Sequence, residues 1–228
     1  VSKRRFRRVL LKVSGNCFSD EALLDSVVGQ VGRARRLGVE LAVVMGGGNI
    51  LRGRDAARLD RVTADRAGML ATVINGLTLA CRLTQKRIPA VHLCATGVTG
   101  TVEAFTANRA RRELTDGSVL VLSGGTGNPF FSTDSAAALR AAEIGAEVIL
   151  KGTRVAGVYS DDPERNPAAR LYRRLTYDRA LSERLRVMDL SAFAFCMEHK
   201  LPIIVFDIAR PGAIVDVLKG KSIGSTVC

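Results

Sequence analysis

Apolar residues in this chain fall into short continuous runs separated by amphipathic stretches, and the two alternate from end to end. The runs at 9–13, 39–45, 90–95, 118–123, 146–151 and 203–206 read as buried strands. Residues 20–37 read as a helix, because Leu24, Val27, Val28 and Val31 share one face and Gly38 follows the last turn. Residues 59–82 read as a long helix that tolerates Gly68 and Gly76. Further helices are expected at 101–114, 135–143, 175–185 and 187–199. A last helix at 211–218 has Pro211 in its first turn, where a missing N–H costs least. Residues 155–159 read as a hairpin arm. Such alternation predicts an α/β protein, a mostly parallel sheet between two helical layers. The 228 residues suffice for one well-buried domain spanning 1–228, and no repeat, low-complexity segment or linker interrupts it.

An apolar share of 47% with 25% charged residues is ordinary for a soluble protein. No apolar run is expected to span a bilayer, and the basic N-terminus lacks a signal-peptide core. Five scattered cysteines, none in a CxxC pair, predict reduced thiols in a cytoplasm rather than disulfides or a zinc site. With two histidines far apart, histidine-based metal or triad chemistry is not expected. The net charge of +12 is less ordinary and would attract polyanions, nucleotides or nucleic acid. Many arginines nevertheless sit beside helical patterns, where a solvated face explains them. At 5% aromatics and no Trp, a stacking platform for single strands is missing.

In open parallel sheets, ligands bind beyond the carboxyl ends of the strands. Four such ends here carry chemistry: Lys12-Val13-Ser14-Gly15, Gly46-Gly47-Gly48-Asn49, the loop from Gly124 to Thr133, and Lys151. Glycine loops let backbone N–H groups approach a phosphate, and a strand, loop and helix start together make an anion site. Ser132, Thr133 or Asp134 can cap the helix that follows. Lys12 lies inside an apolar run and Lys151 closes one. A buried ammonium needs a partner, although each could also snorkel to solvent. The phosphate cradle alone needs neither Phe130, Phe131 nor Asp134. Neither GxxxxGK[ST] nor GxGxxG occurs, which excludes the P-loop and protein-kinase designs.

Leu11 to Gly15, VVMGGGNILRG at 43–53, DRAGMLATVING at 65–76, GTGNPFFSTDSAA at 125–137, the segment 151–163 and RVMDLSAF at 186–193 occur in that order. On these stretches the chain resembles the bacterial-type UMP kinases of the amino-acid kinase superfamily. The resemblance implies a three-layer α/β/α fold and transfer of the γ-phosphoryl group of ATP, with Mg²⁺, to UMP. It further implies a homohexamer and inhibition by UTP. By resemblance, UMP is held by Gly47, Asp65, Thr126, Gly127, Asn128, Pro129, Phe130, Phe131, Ser132 and Thr133. ATP is held by Lys12, Val13, Ser14, Gly15, Gly48, Arg52, Thr153, Tyr159 and Asp162. Lys12 and Lys151 stabilise the moving phosphoryl group, Asp134 orients them, and Arg52 contacts phosphate. Asp189 supports the site, binds Mg²⁺ or caps a helix, and Asp161-Asp162 is a turn rather than a metal pair. The acceptor's phosphate oxygen is already anionic, so no general base is required.

The chain departs from the family after Gly15, where Asn16 to Asp20 is shorter than usual, so GTP activation is not expected. Ala156 and Arg186 replace a common Asp and Lys. Competing functions are a superfamily kinase acting on an acidic amino acid or carbamate, and a nucleotide- or nucleic-acid-binding protein without turnover.

Overall fold

The structure is a computed structural model that describes residues 4–51, 58–185 and 187–228. In chain order the elements are β1 Arg8–Val13, α1 Glu21–Arg36, β2 Glu40–Met45, α2 Arg61–Gln85, β3 Ala90–Cys94 and β4 Glu103–Ala104. They continue with α3 Ala107–Thr115, β5 Val119–Ser123, α4 Thr133–Ile144, β6 Val148–Thr153, β7 Val158–Tyr159, β8 Leu171–Tyr172 and β9 Arg174–Leu175. The chain ends with α5 Tyr177–Ser182, α6 Leu190–Glu198, β10 Ile203–Asp207, α7 Ala213–Leu218 and β11 Ser225–Val227. Nine strands form one sheet in the order β4-β3-β5-β2-β1-β6-β10-β11-β9, and β7 and β8 form a separate hairpin. Every pairing in the large sheet is parallel except β10 with β11.

Alternating residues of each strand feed different cores, which is why the strands read as unbroken apolar runs. Val9, Leu11, Val13, Leu41, Val43 and Met45 pack with Val28 of α1, Leu79 of α2 and Ile214 of α7. Leu10, Ala42, Val44, Leu120 and Leu122 pack with α3, α4, α5 and α6 through residues such as Leu114, Ala141, Ala180 and Phe193. The result is a three-layer α/β/α arrangement.

Several expected helices are shorter than the pattern predicts, the helices at 187–199 and 211–218 by a few residues at their starts and those at 101–114 and 175–185 by the most. Residues 101–106 hold a bridge between Val98 and Val102, then β4, and α3 begins only after the Thr106 N-cap. Gly97 and Gly100, at φ of 71° and 74°, turn the chain where a helix would need to start. Residues 174–175 join the sheet edge as β9, leaving Tyr177–Ser182 as helix. The expectation of no bilayer-length apolar segment is corrected too. Among the described residues, α2 is long and apolar enough by length and composition to cross a membrane. It lies on the sheet instead, burying Ala71, Val73, Leu79 and Leu83, while Leu70, Ile74 and Leu77 face outward.

Part of the positive surplus has a structural role at the end of the sheet away from the loops described below. Arg4 donates to Gly38 O, Arg35 to Gly117 O at 2.5 Å, Arg8 to Ile144 O at 2.5 Å and Arg111 to Glu143 O at 2.8 Å. All four carbonyls close helices α1, α3 or α4, where the helix dipole favours cations.

Candidate active site

The chain leaves β1 for β2 on one side and returns as β6 on the other, so the sheet's crevice opens at the carboxyl end of β1. The parallel register sets Lys12 directly opposite Lys151. Between them stands Asp134, in the first turn of α4, where the helix dipole favours a carboxylate. Lys12 Nζ lies 2.8 Å from Asp134 Oδ1, and Lys151 Nζ lies 2.7 Å from Oδ2. Lys151 also donates to Val187 O at 2.6 Å. Burial by itself raises the Asp134 pKa, but the two ammonium groups outweigh it and hold the carboxyl below its ordinary value. Burial lowers the Lys151 pKa, with Asp134 pulling the other way. The three groups together carry one net positive charge, the sign that a phosphoryl group in transfer requires.

A cleft of about 550 Å³ opens beside this triad and is lined by Lys12, Ser14, Gly15, Gly47, Gly48, Asp65, Thr126, Asn128, Phe131, Ser132 and Thr133. Two glycines are there because loops must pack closely. A Cβ on Gly15 would lie 2.8 Å from Gly48 N, and one on Gly47 would lie 2.8 Å from Gly68 O of α2. Asn75 of α2 holds the second of these loops, donating to Gly46 O at 2.7 Å and exchanging bonds with Asn49. Val13 points into the core, so only its backbone is available to a ligand.

The loop after β5 begins with Gly124, Gly125 and Gly127 at positive φ, and Thr72 Oγ1 accepts from Gly124 N at 2.8 Å. Ser132 caps α4, accepting from the N–H groups of Asp134 and Ser135. Its own hydroxyl donates to Asp189, which is the N-cap of α6 and also accepts from Ala192 N at 3.0 Å and Ser191 at 2.7 Å. Ser135 joins the cluster, 2.9 Å from Ser191 Oγ. Asp189 thus ties the starts of two helices together. Burial raises its pKa, but these bonds prevail and keep it low.

At the far side of the loop, Asp65 Oδ2 accepts from Phe130 N at 2.7 Å and pairs with Arg61 Nε at 2.8 Å. Phe131 lines the cleft, whereas Phe130 stands outside it, highly exposed, with the Arg61 guanidinium 5.6 Å from its ring centre. Gly127 and Pro129 belong to the loop without lining the cleft.

Tyr159 and Asp162 line a second cleft of about 510 Å³, with Gly157, Asp161 and Arg165. Thr153 lies at the end of β6 with its hydroxyl turned to Val155 O at 2.8 Å. Asp161 and Asp162 bond to their own turn and to Asn166. Arg52 and Arg186 lie outside the described residues. Among those described, no group of three or more His, Cys, Asp or Glu gathers to hold a metal ion. Gly68, Met69 and Thr72 of α2 also line the first cleft. They were missed in the sequence because a helix pattern does not say which turn faces a neighbouring loop.

The amino acid kinase family matches residues 7–207. A uridylate kinase of Pseudomonas putida is 44% identical over 98% of this chain and 94% of its own length. Another, from Bradyrhizobium sp., is 46% identical over 97% of each. Among solved structures, a UMP kinase from Bacillus anthracis superposes with a TM-score of 0.95 at 32% identity, covering 98% of this chain and 96% of that one. A UMP kinase from Ureaplasma parvum gives 0.92 at 38% identity, covering 98% and 99%. The chain belongs to the amino acid kinase family, on its uridylate kinase branch.

Proposed function

We propose that this chain transfers the γ-phosphoryl group of Mg-ATP to UMP, giving UDP and ADP. The observation that carries the reading is the Lys12–Asp134–Lys151 triad at the edge of the glycine-lined cleft. UMP lies in that cleft against Gly47, Asp65 and the loop 126–133, with its phosphate toward the triad. ATP enters over Ser14, Gly15 and Gly48, and its base reaches toward Tyr159 and Asp162. Positioning and charge then do the chemistry, since the attacking oxygen is an anion that needs no base. Lys12 and Lys151 take up charge from the moving group, and Asp134 fixes where they stand.

Mg²⁺ neutralises and orients the ATP phosphates when bound. The carboxylates of Asp134 and Asp189 are engaged by lysines, hydroxyls and a backbone N–H, so they fit a cation that arrives with ATP and keeps its waters. The outward Leu70, Ile74 and Leu77 of α2 support assembly with further copies of the chain, a hexamer by resemblance. Five free cysteines support a reducing, cytoplasmic setting. UTP inhibition rests on the resemblance alone.

The test is coupled ADP release from Mg-ATP with UMP, CMP, glutamate derivatives and carbamate offered in turn. UMP-dependent turnover is expected. Turnover with CMP but not UMP, or with a carboxylate or carbamate acceptor, overturns the substrate assignment. Salt-sensitive nucleic-acid binding without ADP release would favour a binding protein.

A further inference from the structure

Arg61 occupies a position that helix energetics do not explain. It is the first residue of α2, after the Asp60 N-cap, and no acidic residue shares that first turn. A cation there opposes the helix dipole, and an arginine four residues before its aspartate is the less favourable order for such a pair. Its side chain is nevertheless committed to two groups: Nε to Asp65 Oδ2 at 2.8 Å, and the guanidinium carbon over the Phe130 ring, 5.6 Å from its centre. Phe130 N donates to the same Oδ2 at 2.7 Å, closing a three-membered contact between a helix and a loop far along the chain. Phe130 sits at φ 72°, a conformation that a bulky residue holds only when its surroundings impose it. Asp65 Oδ1 has no hydrogen-bond partner among the described residues, and Asp65 lines the cleft.

We infer that Arg61 is a positioning residue for the acceptor nucleotide, clamping Asp65 and Phe130 together so that the acceptor loop is fixed against the first turns of α2. The inference rests on the assignment of that loop and Asp65 to the acceptor. Arg61 stands outside the cleft and touches no reacting atom. It acts by holding Oδ2, which leaves Oδ1 turned to the acceptor's hydroxyls, and by keeping Phe130 in its unusual conformation. Lysine would preserve the charge but lose the flat stacking surface and the fixed fork of donors.

The experiment compares wild type, Arg61→Gln and Arg61→Lys by steady-state kinetics, thermal melting and hydrogen exchange over the acceptor loop. For Arg61→Gln the KM for UMP should rise about five- to tenfold, the sum of a surface ion pair and a cation–π contact. Its kcat and KM for ATP should stay within about twofold, and Arg61→Lys should fall between. Because the cation opposes the dipole, the melting temperature of Arg61→Gln should be unchanged or higher. Exchange at the Phe130 amide should quicken. An unchanged acceptor KM, an equal rise in both KM values, or a matching drop in melting temperature overturns the inference. If another nucleoside monophosphate proves the better acceptor, its KM takes the place of that for UMP. If wild type shows no acceptor-dependent turnover, the functional reading falls, and exchange at Phe130 alone decides the clamp: unchanged exchange defeats it.

Discussion

The two ends of the cleft are held by different means. Lys12, Asp134 and Lys151 are 13%, 14% and 14% exposed and stand on two neighbouring strands and a helix start, all buried in the sheet's cores. Arg61 and Asp65 are 64% and 21% exposed, and they hold a loop through side chains at the rim. The first, on the proposed function the transfer end, is preorganised because its charges have little freedom and little water around them, so breaking one ion pair there costs far more than at a surface. The second, on the same proposal the acceptor end, depends on contacts each worth about 1 kcal/mol or less. Its geometry can adjust to a ligand, whereas that of the transfer end cannot. Substitutions at the first end should therefore abolish chemistry, and those at the second should alter acceptor affinity.

The largest effect is expected for Asp134→Asn. The amide keeps the shape but leaves two ammonium groups facing a neutral partner, so the lysines move apart or one loses its proton. We expect kcat to fall about 100-fold or more, the size seen when electrostatic preorganisation is removed, with the KM for UMP little changed. A rise in acceptor KM at nearly normal kcat would erase the distinction between the two ends. Asp134 has a folded-state pKa below its ordinary 3.8. Its stabilising contribution is therefore complete above the unfolded-state value and is lost only as pH falls through the lower, folded one. It stays ionised at neutral pH, so the variant removes a charge that is fully present.

A smaller effect is expected for Asp189, which belongs to neither end and joins them through Ser132. Asp189→Ala removes the α6 cap, worth about 1 kcal/mol, and frees Ser132 at the start of α4. Activity should fall about tenfold as the Asp134 helix turn loosens, with a lower melting temperature. Asp189→Asn retains a good cap and should recover most of the stability and part of the rate. A loss from Asp189→Ala as deep as that of Asp134→Asn, without a stability change, would place Asp189 in the transfer chemistry itself. Kinetics and melting curves on the same preparations separate these outcomes.

The same contrast governs what was legible beforehand. β1, β2, β5 and β6 announce themselves because both their faces are buried, and a lysine within or closing such a run needs either a partner or a path to solvent. Lys12 and Lys151 are therefore readable as candidates from local sequence, whereas Asp134 after its glycine loop reads only as a candidate helix cap, and its pairing with both lysines is implied by the resemblance alone. Arg61 is not readable, since its meaning comes from Phe130, across three strands and a helix of intervening chain. The Ser135–Ser191 contact has the same origin. Residues 101–106 were misread because their helical pattern competes with the turns at Gly97 and Gly100, which win locally. β11 went unread because three residues carry too little pattern. Tyr159 and Asp162 lie in a separate cleft from Gly48, so the nucleotide reading joins positions that no single pocket unites.

The effect that should touch catalysis least is that of acid on stability, and it should originate beneath the acceptor end. His92 on β3 has Nε2 2.7 Å from Ser123 Oγ, one residue before the Gly124 turn, and packs so closely on α2 that a Cβ at Gly76 would lie 2.4 Å from it. Its Nδ1 is buried with no hydrogen-bond partner among the described residues. A neutral ring bonded through Nε2 buries only a lone pair there, whereas protonation would bury an unpaired N–H. Burial pushes its pKa from 6.5 down to about 4. Between those values the unfolded chain binds a proton that the folded chain refuses, so stability falls as pH drops through 6.5 toward 4. From pH 7 to pH 5 this one group costs about 2 kcal/mol, or about 5 °C in melting temperature for a chain of this size. His92→Gln, which can still bond Ser123, should lose less on the same acidification by that amount. Hydrogen exchange at pH 5 should rise first in β3 and the start of the acceptor loop, while Lys151 and its strand remain protected. Equal acid sensitivity in both proteins, or exchange rising first around β6, would show that the transfer end is the softer of the two.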